Sequence, residues 1–352
     1  MNHATLIHTL QTLSDAPGTS GDEIEVRRVL SPLLEEHVDE MHVDSLGNLI
    51  ILKRGTAEHP LRVLVAAHID EVGLMVVAHG DDGSLKVESI GGIDPRLLPG
   101  LEVYVGKEQL PGVIGLKAIH RSHDTFKDVT PLKDLTVDIG AKDKDEAVKL
   151  APAGTRVTFA TRAHLVGDLI AGKAFDDRAG CTALLALLQG ERLPHDLYGI
   201  FTVQEEVGLR GAHVAGYAID PDVAFVLEGT IADDLPKKEK EDVSPTSEIG
   251  KGPAITVMDR SYITAPRLLR HFVETATDLG IPYQFKQPGI GGTDAGATHS
   301  ARGGVPSITI AVPCRYIHSP ISLLNPEDLE HTVNLVRAAL ARLTPEILQP
   351  EG

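Results

Sequence analysis

Three features of this 352-residue sequence predict an α/β protein, with a mixed sheet sandwiched by helices and a small β-barrel domain inserted into it. Strand-like runs alternate with helical periodicity toward the two ends of the chain. One of those runs, Leu61 to His68, is apolar on both faces, as a central strand of a parallel sheet is. Between Gly73 and about Leu165 the texture changes to short strand signals punctuated by glycine and proline, the pattern of a small barrel or sandwich. The expected organisation is one α/β domain from residues 1–72 and 165–352, with residues 73–164 as the insert.

Taken in order, Thr5 to Leu13 has helical spacing and is broken by Pro17-Gly18-Thr19-Ser20-Gly21. Ser20 followed three residues later by Glu23 predicts a capping box opening a second helix to about Glu36. Val43 to Leu52 reads as two strand pieces about a Gly47-Asn48 turn, and Leu61 to His68 follows. The insert carries strand signals at Leu74–Ala78, Leu85–Ile90, Val103–Val105, Val113–Leu116, Leu135–Asp138 and Val157–Phe159. Helical periodicity resumes at Asp177–Leu188. Leu197 to Val203 is then a short β-branched and aromatic run between Pro194 and Gly208. The final helix, Pro326 to Leu343, sets Leu329, Val333, Val336 and Leu340 on one face. The mixed-charge segment Lys237 to Asp242, within 233–248, reads as a mobile exposed loop.

The hydrophobic fraction of 42% suffices for a proper core. Asp plus Glu outnumber Lys plus Arg by 50 to 33, and the formal charge of −17 disfavours nucleic acid and anionic membrane as partners. Met1 to Leu13 alternates polar and apolar residues, and no run approaches the roughly 18 apolar residues of a membrane span. Neither a signal peptide nor a transmembrane helix is expected. The two cysteines, Cys181 inside a predicted helix and Cys314 near a strand end, read as free thiols in a reducing cytoplasm.

Polar residues recur where apolar runs stop: His68 and Asp70, Asp176 and Asp177, Glu205 and Glu206, Glu228, and His318. Residues at the carboxyl ends of strands line the ligand crevice of an open α/β sheet. Two imidazoles with several carboxylates suit zinc, cobalt or manganese, and the lack of cysteine donors points to a catalytic rather than a structural site. Were the strand to continue through Glu205-Glu206, the two side chains would face opposite ways and do different work. His120 and His123, three apart in the insert, read as part of a solvated loop rather than a second site. Thr293-Asp294 and the loop to Arg302 are either pocket pieces or a Gly-rich turn leading into a helix.

The strings AHIDEVGLMV, GKAFDDRAG, FTVQEEVGLRGA, GGTDAGATHSARGGVP and VPCRYIHSP resemble those of the tetrahedral aminopeptidases. These are co-catalytic metallopeptidases that include glutamyl and deblocking aminopeptidases and members once labelled endoglucanase. PGTSGDE, DSLGNLI, SIGGID, LTVDIGA and GKGPAITVMDRS match in the same order, so the likeness covers nearly the whole chain. It implies a phosphorylase/hydrolase-like metallopeptidase domain holding two divalent ions, zinc or cobalt first and manganese next. In that scheme Asp176 bridges the ions, His68 and Glu206 complete one, and Glu228 with His318 completes the other. Glu205 is the general base, and Asp70 orients the His68 imidazole. Many members carry Asp where this chain has Glu228, which leaves Asp233 and Asp234 as competitors, and Ala118-Ile119 replaces a common Pro-Pro before His120. The resemblance further implies peptide substrates with a free N-terminus, dimerisation through the insert, and a hollow tetrahedral dodecamer.

The competing readings are a glycosidase, an amidohydrolase or deacetylase acting on a non-peptide amide, and a non-enzymatic assembly subunit. Adjacent Glu205 and Glu206 fit a glycosidase poorly, since its carboxylates must straddle a sugar by about 5 to 9.5 Å. The chain also has no Trp and 4% aromatic residues with which to stack a sugar.

Overall fold

The computed structural model describes residues 1–116, 129–236 and 245–349. His120, His123 and the charged run from Lys237 to Asp242 lie outside the described residues.

Helix α1 (His3–Asp15) begins at Asn2, whose side-chain oxygen accepts from the Thr5 amide at 2.9 Å. Helix α2 (Ile24–Leu34) buries Val26, Leu30 and Leu34. The expected capping box does not form. The Ser20 hydroxyl is drawn away to donate to Asp70 Oδ2 at 2.6 Å, and Glu23 itself occupies the cap position with no side-chain cap bond. A buried carboxylate with two oxygens to satisfy is the stronger acceptor, and it wins over the helix end.

Strands β1 (Glu40–Val43) and β2 (Leu49–Lys53) form an antiparallel pair, their turn held by Asp44 Oδ1 accepting from the Leu46, Gly47 and Asn48 amides. After β3 (Arg62–His68) the chain enters the insert. There β4 (Gly73–His79), β5 (Leu85–Ile90), β6 (Glu102–Val105), β7 (Leu110–Gly115), β8 (Thr136–Asp138) and β9 (Arg156–Phe159) close a barrel in the order β4-β5-β8-β7-β6-β9. Leu74, Val87, Val103, Ile114, Val137 and Val157 fill it. Strand β7 starts three residues before the expected position because Pro111 and Gly112 sit within it rather than in a turn. A Cβ at Gly112 would lie 3.0 Å from Val137 Cγ1, so glycine marks the close approach to β8. Helix α3 (Lys144–Leu150), capped by Asp143 on the Glu146 amide, was not expected.

The hairpin β10 (His164–Val166) and β11 (Leu169–Gly172) returns the chain to the large sheet. The remaining elements are α4 (Phe175–Leu188), β12 (Asp196–Thr202), α5 (Arg210–Ile219), β13 (Val223–Ile231), β14 (Ala254–Thr256), α6 (Pro266–Leu279), β15 (Gln284–Lys286), α7 (Asp294–His299), β16 (Ser307–Arg315), β17 (Ser322–Leu324), α8 (Pro326–Arg342) and α9 (Pro345–Leu348). Among the described residues the sheet runs β1-β2-β12-β3-β13-β16-β17-β11-β10, with β14 and β15 branching from β16. Its centre, β12-β3-β13-β16, is parallel and its flanks antiparallel, which makes the sheet mixed.

Side chains alternate across this sheet. Val63, Val65 and Ala67 of β3 pack with α1, α2, α4, α6 and α8, while Leu64 and Ala66 pack on the opposite layer with α5 and α7. Both faces are thus dry, which explains the uninterrupted apolar run in β3. Cys181 in α4 and Cys314 in β16 are free and buried. Among the described residues no helix is long and apolar enough to cross a membrane.

Candidate active site

Parallel register builds the first half of the site. Val226 of β13 pairs with Ala66 of β3, so two residues further on Glu228 stands level with His68. The two continue the rows Ala224-Val226 and Leu64-Ala66 on the α5 and α7 side of the sheet. His68 Nε2 lies 3.5 Å from Glu228 Oε2 and 3.2 Å from Asp176 Oδ1. His68 Nδ1 donates to the Asp70 main-chain oxygen at 3.1 Å, which turns Nε2 toward the acids.

The second half comes from loops. Asp176 opens α4 with non-helical backbone, and its other oxygen, Oδ2, faces His318 Nε2 at 3.4 Å. His318 Nε2 is also 3.5 Å from Glu206 Oε2, and its Nδ1 donates to the Gly92 carbonyl at 3.0 Å. Three donor groups emerge among the described residues: His68, Asp176 and Glu228; Asp176, Glu206 and His318; and His68 with Glu205 and Glu206. Asp176 belongs to the first two and presents one oxygen to each histidine.

Two of these groups set Glu228 beside His68 and Glu206 beside His318, whereas the family resemblance paired His68 with Glu206 and Glu228 with His318; the third keeps Glu206 within reach of His68. The cause is register. Glu228 is carried beside His68 by strand pairing, whereas Glu206 lies past the end of β12, on the His318 side. Strand β12 also ends at Thr202, earlier than a continuing strand would require. Glu205 and Glu206 therefore differ by their place in a turn rather than by opposite sheet faces.

Asp70 organises that turn. Its Oδ1 accepts from the Glu205 amide at 2.9 Å and its Oδ2 from the Glu206 amide at 3.2 Å, while Ser20 donates to Oδ2 as well. Oδ1 lies 3.5 Å from His68 Nδ1. Burial works against its charge, yet the hydrogen bonds and the His68 imidazole hold the Asp70 carboxyl below the ordinary range. Asp177 supports the strand end in turn, accepting from the His68 amide and the Gly180 amide.

The electrostatics reflect crowding. Burial first, then the like charges of Glu228, Asp294 and Glu206, push Glu205 well above the usual carboxylate range. Burial also lifts Glu206 to about 8 and raises Glu228. Burial works against protonated His318, but Asp176 and Glu206 raise it to about 9. His68 is raised in the same way against its burial, with Glu205 the leading favourable charge. Asp176, though buried, is held low by both histidines.

Glu228 Oε1 is buried with no hydrogen-bond partner. Such an orphan oxygen, beside three other converging carboxylates and two imidazole nitrogens, fits divalent cations that take oxygen and nitrogen donors. His68, Asp176 and Glu228 would hold one ion, and Asp176, Glu206 and His318 the other. Asp233 and Asp234 are committed elsewhere: Asp233 accepts from the Thr246 amide, and Asp234 pairs with Arg315 at 2.5 Å. The described flank of the 233–248 segment is also less exposed than expected. Thr246 and Ser247 are buried, and Ser247 donates to the Ile231 carbonyl at 2.8 Å.

The donors open into a cleft of about 520 Å³, bounded by the Gly291-Gly292-Thr293 stretch, by Ile290 and Ile317, and by Lys286. Both readings of the Thr293 region hold, since Gly291, Gly292 and Thr293 line the cleft and Thr293 caps α7. Asp294 is buried behind it, accepts from the Thr202 hydroxyl at 2.5 Å, and is raised by burial to about 7. Arg302 is turned away, stacked 4.3 Å over Tyr217. Sequence reasoning missed Lys286; its only trace is the alternation of β15, where Phe285 faces out and Lys286 in.

The model of the M42 glutamyl aminopeptidases matches residues 47–335. An aminopeptidase from the archaeon Desulfurococcus kamchatkensis superposes with a TM-score of 0.93 at 35% identity, covering 99% of this chain and 97% of that one. The Pyrococcus horikoshii TET1 peptidase, which can assemble into a tetrahedron or a large octahedral shell, superposes with a TM-score of 0.85 at 33% identity over 96% of this chain and all of its own. A lysyl aminopeptidase of Pyrococcus furiosus is 34% identical, with 97% of this chain and 98% of its own covered. Strand-end donors, cleft and closed barrel thus coincide with a family match across most of the chain, and this protein belongs to the M42 aminopeptidases, hydrolases of the peptide bond.

Proposed function

We propose that the protein is a dinuclear-metal aminopeptidase that removes N-terminal residues from peptides, with Glu205 as general base. The observation that carries this reading is Asp176, whose two carboxylate oxygens face His68 and His318 separately at 3.2 and 3.4 Å. When bound, divalent cations at the two donor groups supply Lewis acidity toward the scissile carbonyl and lower the pKa of a water. Zinc or cobalt suits these donors best, and manganese is compatible with them.

The chain's own residues do the rest. The Glu205 side chain is 11% exposed and lines the cleft, and it takes a proton from the attacking water and returns one to the leaving amine. Asp70 fixes the turn that aims Glu205 and Glu206, and with its main-chain oxygen it sets the tautomer of His68. The acidic wall attracts the positive N-terminus of a peptide, which favours exopeptidase action.

Glu205→Gln tests the assignment. Metal content should be retained while turnover falls by roughly 10² to 10⁴; full activity in this variant would sink it. A panel of non-peptide amides run beside peptides separates the amidohydrolase alternative.

In our reading the barrel pairs subunits and the pairs build a tetrahedral dodecamer, an assembly supported by the behaviour of the Pyrococcus horikoshii relative. Light scattering after size exclusion checks it, a monomer being the contrary result. Free buried Cys181 and Cys314 agree with a cytoplasmic location.

A further inference from the structure

We propose that Lys173 and Glu71 are positioning residues of the metal centre. Their buried ion pair ties the segment carrying His68 to the one carrying Asp176, and so sets where Asp176 stands between the two histidines. The proposal deepens the dinuclear-metal reading above and rests on it. Glu71 follows His68 by three residues, and Lys173 precedes Asp176 by three. Lys173 Nζ donates to both Glu71 oxygens, at 2.7 and 2.8 Å, and to the Ala16 carbonyl at 3.2 Å. Neither side chain lines the cleft.

Charge balance does not call for this lysine. Arg178, wholly buried in α4, already stands 3.7 Å from Glu71 Oε1, so one carboxylate faces two cations. Burial, helped by the like charge of Arg178, holds the Lys173 ammonium below the ordinary lysine range even with Glu71 beside it. Desolvation of a buried ion can exceed what its partner returns, so a second cation here is poor evidence of stability alone. What Lys173 does secure is the approach of two segments.

The stretch from Lys173 to Asp176 needs such a fixture. Strand β11 has ended at Gly172, Ala174 is left-handed at φ 55°, and Asp176 is non-helical, so no regular run of sheet or helix bonds holds these residues. The Ser14 hydroxyl donates to the Lys173 carbonyl at 2.7 Å, which fixes one end. A Cβ on Gly229 would meet Asp176 Cα at 3.0 Å, so β13 abuts the other end directly. Glu71 is anchored in its turn, accepting from the Gly18 amide at 2.9 Å and donating its own amide to the Gly18 carbonyl at 2.9 Å. Glu71, Ala174, Asp176, Glu206 and His318 border one void of about 10 Å³, about the space of a single water, so Glu71 packs directly behind the second donor group.

Lys173→Met keeps the stem and removes the ammonium, and Arg178 remains as counter-ion to Glu71. Cobalt titration of the chelated protein, followed by absorption, reads the centre without turnover. The variant should bind cobalt roughly 10- to 100-fold more weakly, the range for losing a group that orients a ligand, and with an altered absorption band. At saturating metal, kcat should fall by more than KM changes. Crystal structures of the two chelated proteins give a readout free of metal: Asp176, 3.2 Å from His68 and 3.4 Å from His318 in wild type, should leave that place in the variant. If Lys173→Met does not fold, Glu71→Gln, which keeps an oxygen for the lysine, is read in the same way. If wild type binds no cobalt while Asp176 still shifts in the variant, the metal reading fails and the positioning role stands. A lower melting temperature with Asp176 unmoved, and with cobalt binding and spectrum unchanged, would mark a purely structural pair and overturn the proposal.

Discussion

The barrel and the carboxyl edge of the large sheet lie next to each other in the chain but spend burial in opposite ways. In the barrel, Leu74, Val103, Ile114 and Val137 are buried among other apolar side chains, so burial there is direct stabilisation. At the sheet edge His68, Asp70, Asp177, Glu228 and Asp294 are equally buried, and each carries a group that prefers water. Such a cluster persists because a well-packed scaffold over-determines it, with His68 and His318 each set against the acids. The two regions touch at Gly91-Gly92, where the Gly92 carbonyl orients His318 and a Cβ on Gly91 would lie 3.3 Å from Glu206 Cβ. The insert thus supplies the catalytic edge with one turn.

Substitutions sharpen this contrast. The largest effect belongs to Asp176→Ala, which removes the shared donor: both metal equivalents and all peptide hydrolysis should vanish, as read by elemental analysis and assay. Retention of one tightly bound ion with partial activity would show that Asp176 is not shared. Asp70→Asn keeps the shape but weakens the grip on both amides and on His68, and should cost about 10- to 100-fold in metal affinity or activity; metal titration measures it.

A smaller effect concerns pH and the chelated protein. Glu206 at about 8 and Asp294 at about 7 stand above their unfolded values, so the folded state holds more protons through that interval. His318, raised to about 9, acts in the same direction. Stability contributed by these protons is present below about pH 4.5 for the acids and 6.5 for the histidine, and is lost as pH rises toward 9. The melting temperature of chelated protein should therefore fall between pH 6 and 9, and added metal should flatten that fall; thermal melts across pH decide it. The smallest effect on activity belongs to the barrel core. Ile114→Ala should lower stability by about 2 to 5 kcal/mol, while kcat/KM of the folded enzyme stays near wild type. A large drop in kcat/KM would mean that barrel and edge are more tightly coupled than the Gly91-Gly92 turn accounts for.

Much of this arrangement was legible in the residues themselves. Apolar runs halting at His68 and before Glu205 marked strand ends, because a buried strand and a ligand crevice both leave that local pattern. The barrel strands announced themselves by turn residues, with Pro111 and Gly112 misleading the start of one. What escaped depends on pairings between distant segments. Which acid accompanies which histidine follows from the register of β13 on β3, and no local window contains it. The capture of Ser20 by Asp70 spans 50 positions, and it defeated a local capping rule. Lys286 reaches the cleft only after β15 has joined β14 at the sheet's branch.

Anomalous diffraction from crystals of the metal-loaded enzyme tests the donor assignment most directly. Two peaks are predicted, with Asp176 contributing an oxygen to each, His68 and Glu228 on one, Glu206 and His318 on the other, ligand distances near 2.0 to 2.2 Å, and Glu205 outside that range of both. A single peak, or Glu205 coordinated in place of Glu206 or Glu228, would contradict it.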